Sequence, residues 1–238
     1  MNSLRTPLRI RRSHERGHAD HGWLDTYHTF SFAGYHDDDW RGHRNLRVIN
    51  QDTIRPGTGF GAHPHRDMEI VSYVLRGALS HRDSMGNEHT LEPGDVQRMT
   101  AGTGVVHAEM SGADEDTEFL QIWIQPAAAG LEPGYDQRRF DLDAGVQVVA
   151  SADGQQGGIA LNADAAIIAG RLDAGQQTTY APTPGRHLWI HVARGSLELD
   201  GTPLGPGDGA ALPPAGSHDE PLALLATTDA ELLLFELP

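Results

Sequence analysis

The sequence predicts an all-β protein built from two similar antiparallel domains, and three observations carry that expectation. Short apolar runs with strand-like alternation recur from Leu46 onward, turn-forming residues separate them, and a set of turns repeats at a nearly constant offset. The runs include L-R-V-I-N, E-I-V-S-Y-V-L, F-L-Q-I-W-I, H-L-W-I-H-V and L-L-L-F-E-L. They are rich in the branched and aromatic side chains that fit a pleated, half-buried surface. The 28 Gly and 14 Pro supply the turns and disfavour long helices.

The repeat sets the domain count. V-L-R-G-A-L at 74–79 matches V-A-R-G-S-L at 192–197, and the turn around Gly57 matches the turn around Gly175, both at an offset of 118. L-E-P-G-D at 91–95 matches L-G-P-G-D at 204–208 at an offset of 113, so the second copy is five residues shorter in one hairpin. Order and spacing are kept, which points to duplication rather than to chance recurrence of common turns. The expected domains are 1–130 and 131–238, with P-A-A-A-G-L-E-P-G-Y at 126–135 as the linker. Residues 164–174 are ambiguous, since Ala-rich composition argues helix while Gly170 and the following turn argue strand. The first 45 residues are polar, with His14, His18, His21, His28, His36 and His43 in no defensible ligand pattern.

Composition excludes several classes of function. The 33 Asp+Glu against 18 Lys+Arg give a formal charge of -15, which repels phosphate backbones and argues against direct nucleic-acid binding. Cysteine is absent, so disulfides and thiolate metal sites are ruled out, and any metal must be held by imidazole and carboxylate. No segment approaches the length of a membrane span and no secretory h-region follows the basic start of the chain, so a cytoplasmic location is expected.

Two short stretches carry metal-ligand chemistry. In G-T-G-F-G-A-H-P-H-R-D-M-E, residues 57–69, strand alternation points His63 and His65 the same way. In A-G-T-G-V-V-H-A-E, residues 101–109, His107 and Glu109 obey the same rule. Two such strands facing across a small β domain bring three imidazoles and a carboxylate together. That set suits Fe, Ni, Cu, Mn or Zn rather than Ca or Mg. Glu69 shares the parity of His63 and His65, so two carboxylates compete for the fourth position. Three neutral imidazoles and one carboxylate leave a divalent ion near +1, still attractive to an anionic substrate, which favours one bound carboxylate over two. At the repeat offsets His63 and His65 map to Ala181 and Thr183, and His107 maps to Glu220, so the second domain lacks the ligands.

The spacing G57-x5-H63-x-H65-x3-E69 resembles the first cupin motif, with seven rather than six residues before Gly77. The second motif departs from the usual cupin form: Thr100 and Gly102 are followed by four residues before His107. That departure, M-T-A-G-T-G-V-V-H-A-E, resembles the pirin family, as do E-R-G-H-A-D-H-G-W-L-D-T-Y-H-T-F-S-F at 15–32, H-P-H-R-D-M-E-I, and L-Q-I-W-I-Q-P at 120–126. The resemblance implies a bicupin of two antiparallel β-barrel (jelly-roll) domains. One divalent transition metal would sit in the first domain, held by His63, His65, His107 and Glu109, with Glu69 outside the ligand set. Iron(II) is the metal it favours; Ni, Cu, Mn, Co or Zn are the other expectations. For bacterial members it implies quercetin 2,3-dioxygenase activity, and for eukaryotic members a metal-dependent role as a transcriptional cofactor.

The expected chemistry is therefore cleavage of a flavonol by O2, the partners being a small aromatic substrate and O2, with Glu109 as a general base toward the substrate hydroxyl. The competing expectation is a metal- or redox-dependent binding module with incidental oxygenase activity. Tyr27, His28, Phe30 and Phe32 are candidates to wall a pocket, with an ordinary edge strand as the simpler expectation. His81, His89, His187, His191 and His218 are scattered, and Trp123 and Trp189 are expected in the core.

Overall fold

The computed structural model describes residues 8–214, 216 and 220–238; His218 lies outside them. Among the described residues the helical elements are three single turns, Ser13–Glu15, Leu142–Ala144 and Gln155–Gly157, and strands make up the regular structure. The ambiguous segment is strand over Ala166–Leu172, where Ile167, Ile168 and Leu172 are all buried.

The chain forms two compact units. Of the described residues, one unit holds Arg16–Asp141 and Val149–Asp164; the other holds those up to Glu15, Leu142–Val148 and those of Ala165–Pro238. This division departs from a single cut after residue 130, for two reasons. Arg9–Arg11 pairs antiparallel with Gly209–Leu212 (Arg9 opposite Ala211), which ties the first strand to the C-terminal unit. The expected linker runs into the strand Gly134–Arg139, which pairs with Asp95–Thr100 in the N-terminal unit.

Each unit is a jelly-roll sandwich of two antiparallel sheets rather than a closed barrel. In the N-terminal unit the larger sheet runs Gly134–Arg139, Asp95–Thr100, Glu69–Arg76, Thr117–Ile124, Leu46–Ile54, Leu24–His28, Gly17–Asp20, in that order. The smaller runs Gly59–His65, Val105–Ser111, Leu79–Asp83, Glu88–Leu91. In the C-terminal unit Arg9–Arg11, Gly209–Leu212, His187–Arg194, Ala230–Leu237 and Ala166–Leu172 are neighbours in one sheet. Gln177–Tyr180, Leu222–Ala226, Leu197–Leu199 and Thr202–Leu204 form the other.

The repeat is structural. Glu69–Arg76 and His187–Arg194 differ by 118 at both ends, and Thr117–Ile124 and Ala230–Leu237 differ by 113 at both ends. The paired turn glycines Gly77 and Gly195 have matching left-handed φ values of 74 and 66, which an L side chain rarely adopts.

The two interiors differ. The main buried cluster of the C-terminal unit is apolar, with Ile168, Leu188, Ile190, Leu224, Leu232 and Leu234 among its members. The interior of the N-terminal unit is tiered, because each inward strand face changes character at two-residue steps. Leu24, Ile54, Val74, Leu79 and Phe119 make an apolar floor. Two residues further along the same faces come Thr26, Asp52, Ser72, His81 and Gln121, all but Gln121 fully buried. Two further still come Ile70 and Trp123, which pack with Met68, Met99 and Val105. Polar groups in the middle of a core are costly unless paired, so this tier marks where the fold has kept chemistry at the expense of packing.

Candidate metal centre

The strands Gly59–His65 and Val105–Ser111 pair antiparallel, with His63 opposite His107 and Val105 opposite His65. The register shifts by one residue between His107 and Glu109, so that Phe60 rather than Gly61 stands opposite Glu109. This bulge lets Phe60 join the apolar floor while His63 still faces the site. Gly59 permits the close approach of the two strands, since a Cβ there would clash with the Glu109 carbonyl oxygen.

His63, His65 and His107 converge. Their ring centroids are 4.8, 4.4 and 4.9 Å apart pairwise, and one potential ligand atom from each lies within 4.8 Å of the others. The Nε2 atoms of His63 and His107 are 3.1 Å apart. The His63 ring donates from Nδ1 to Gly61 O at 2.7 Å, which leaves its Nε2 lone pair facing the cluster. Burial, and then the neighbouring His63, depress His65 to about 4; burial, then His63, His65 and His81, depress His107 to about 3. Both rings are therefore neutral at neutral pH, the form a metal requires.

Glu109 stands one step deeper, fully buried. It shares a second group of the same 4.8 Å span with His107 and His81, rather than with His63 and His65. Ser72 Oγ donates to its Oε1 at 2.9 Å and Gln121 Nε2 donates to its Oε2 at 2.8 Å. Burial nevertheless pushes its carboxyl up to about 7. A chain of donors leads to it, Tyr135 OH to Gln97 Oε1 at 3.0 Å, Gln97 Nε2 to Ser72 Oγ at 3.4 Å, then Ser72 to Glu109. Glu69 belongs to neither group; its Oε2 accepts from Asn162 N at 3.1 Å.

His81 is the residue that sequence reasoning passed over. Its side chain is fully shielded and its Nε2 lies 3.1 Å from Asp83 Oδ2. The N-terminal histidines lie apart from the cluster: His18 pairs with Asp25 and His36 with Asp38 on half-exposed or exposed positions, and buried His28 pairs with Asn50. Of the aromatic candidates, Tyr27 stacks on His18 and Phe30 is buried. Phe32 reaches the site through Trp123, which it meets edge-on at 5.4 Å and which meets His65 edge-on at 5.0 Å. The half-buried His63 and His65 lie toward solvent, whereas His107 and Glu109 are buried behind them.

Three convergent imidazoles, a buried carboxylate and an aromatic flank fit a divalent transition metal. Comparison with known proteins agrees. The Pirin family matches residues 9–124, and the quercetinase C-terminal cupin domain matches residues 148–237. Quercetin 2,3-dioxygenase of Escherichia coli strain K12 is 42% identical over 230 residues, 96% of this chain and 98% of that protein. A pirin-like protein of Caulobacter vibrioides is 40% identical over 225 residues, 92% and 95% of the two chains. Among solved structures, bacterial pirin YhhW of Escherichia coli in complex with nickel(II) superposes with a TM-score of 0.90 at 41% identity, covering 98% of this chain and 99% of that one.

Proposed function

The chain belongs to the pirin family, and from that premise we propose that it is a metal-dependent dioxygenase that cleaves a flavonol such as quercetin with O2. The observation that carries the reading is the convergence of three imidazoles, two of them held neutral, beside a buried carboxylate and an aromatic flank.

His63, His65, His107 and Glu109 are the proposed holders of one divalent ion; the nickel(II) complex of YhhW supports the ion, and the convergence of the three imidazoles supports its place. Iron(II) is the proposed native metal; nickel, copper, manganese, cobalt and zinc suit the same donors. Bound there, the ion supplies Lewis acidity toward a substrate hydroxyl and a template for substrate and O2. The protein's own part is threefold. Trp123 and Phe32 offer apolar edges against which an aromatic substrate can be oriented. Glu109 can take the proton that a flavonol hydroxyl gives up when it loosens from the ion, while Ser72 and Gln121 fix the orientation of its oxygens. The apolar floor below the polar tier keeps bulk water from that carboxylate. The C-terminal cupin, on the same reading, holds no metal: Ala181 and Thr183 replace the histidines, and the main buried cluster there is apolar.

The test is turnover of quercetin by metal-loaded protein, aerobic against anaerobic, with His63→Ala as control. Turnover that needs both oxygen and His63 is expected. Negligible turnover with each of the six metals rejects the enzyme and favours a metal-dependent binding module.

A further inference from the structure

We propose that His81 is a positioning residue for the ligand His107, and that Asp83 sets its tautomer. The proposal rests on the metal centre above and assigns to that centre a residue outside its ligand set.

His81 and Asp83 face inward on the strand Leu79–Asp83, opposite Glu109 and His107 respectively. Asp83 is a saturated acceptor. Its Oδ1 takes Met85 N at 2.9 Å and Asn87 N at 3.1 Å, and its Oδ2 takes Asn87 Nδ2 at 2.9 Å as well as His81 Nε2 at 3.1 Å. A carboxylate so surrounded by donors accepts and does not donate, so the His81 proton belongs on Nε2 and its lone pair on Nδ1. That Nδ1 is buried with no hydrogen-bond partner, and so is Nδ1 of His107. The two rings are 5.4 Å apart, and a ligand atom from each lies within 4.8 Å of the other.

The two orphans are complementary once His107 acts as a ligand. His63 keeps its proton on Nδ1, where it donates to Gly61 O, so the facing His107 Nε2 can carry the proton shared between the two rings. If both Nε2 atoms serve as ligands, the single His107 proton leaves Nε2 and is carried on Nδ1, with no change in ring charge. A buried N–H then needs an acceptor. Glu109 already accepts from Ser72 and Gln121, whereas the His81 lone pair is unused. His81 therefore orients the His107 ring and raises its basicity, as groups around a metal-bound histidine commonly do.

The test combines variants with the native rings. Nickel(II) affinity of His81→Leu and Asp83→Asn is expected to fall about 10- to 100-fold, because the first removes the acceptor and the second donates to Nε2 and forces the proton onto Nδ1. His81→Asn, which keeps an acceptor oxygen, is expected to stay within about threefold of the native protein. Equal affinity in native, His81→Leu and Asp83→Asn protein overturns the proposal. Native protein that takes up no nickel overturns the metal centre itself, and the inference with it. Long-range 1H–15N correlation on native protein needs no variant to fold. It should place the His81 proton on Nε2 with and without zinc(II), and the His107 proton on Nδ1 when zinc is bound. A proton on His81 Nδ1 in the zinc form overturns the proposal.

Discussion

Replacing Asp52 by Asn should stabilise the metal-free protein, and only toward neutral pH. Asp52 is buried in the polar tier, where its Oδ1 accepts the Thr26 hydroxyl. Burial raises its carboxyl from 3.8 to about 7 against the pull of Thr26, and the charge of Glu109 adds to the rise. Between those two values the folded protein keeps a proton that the unfolded chain has lost. The contribution is thus fully present below about pH 4 and is lost as pH rises, at about 1.4 kcal/mol per unit, to about 4 kcal/mol by pH 7. The substituted amide would keep an acceptor for Thr26 and carry no charge. His65 and His107, depressed to about 4 and about 3, give the opposite slope below their unfolded value, but they do so in both proteins and cancel in the difference. Urea unfolding in the presence of a chelator should show the advantage of Asp52→Asn growing by about 1.4 kcal/mol per unit between pH 5 and 7, then levelling by pH 8. An advantage that is flat or shrinking from pH 5 to 8 refutes the reasoning, because it means the fold already compensates the Asp52 charge.

Three further outcomes are expected. In metal titration Glu109→Ala should lose at least about tenfold in affinity, while Glu69→Ala should bind as native but lose about 1–3 kcal/mol of stability, since Asn162 N is left without its acceptor; the reverse pattern makes Glu69 the ligand. Elemental analysis at saturation should give about one ion per chain; a reproducible value near two would show that the C-terminal cupin binds metal. Gly102→Ala should lose roughly 2 kcal/mol or more in thermal unfolding, since Gly102 is left-handed (φ +45) and a Cβ there would clash with the Leu131 carbonyl oxygen; native-like stability would mean that this loop yields easily.

Much of the fold was legible in the sequence because turns recur with little freedom: a left-handed glycine such as Gly77 or Gly195 cannot drift without strain, so the 118-residue offset transfers to strand ends without slippage. The parity of His63 with His65 was legible for a similar reason, since both lie on the same side of the bulge. The bulge itself was not, because a register shift depends on the partner strand. His81 was hidden by its own strand, L-S-H-R-D, in which four of five residues are polar and alternation carries no signal. The membership of Arg9–Arg11 in the C-terminal unit was hidden by distance along the chain. The strand at Gly134–Arg139 was hidden by the Gly- and Pro-containing stretch that leads into it.

That early strand has a consequence for how the protein is made. Arg11 emerges from the ribosome 198 residues before its partner Gly209. At about 5–20 residues per second it waits roughly 10–40 s for the strand it will join. Throughout that time the first residues need an environment that does not let them pair elsewhere. Until they dock, the Gly209–Leu212 edge, G-A-A-L and buried in the finished fold, is a short bare sheet margin with no charge to guard it. A chain shortened by a dozen residues at its start would keep every proposed metal ligand and still leave that margin open to other copies.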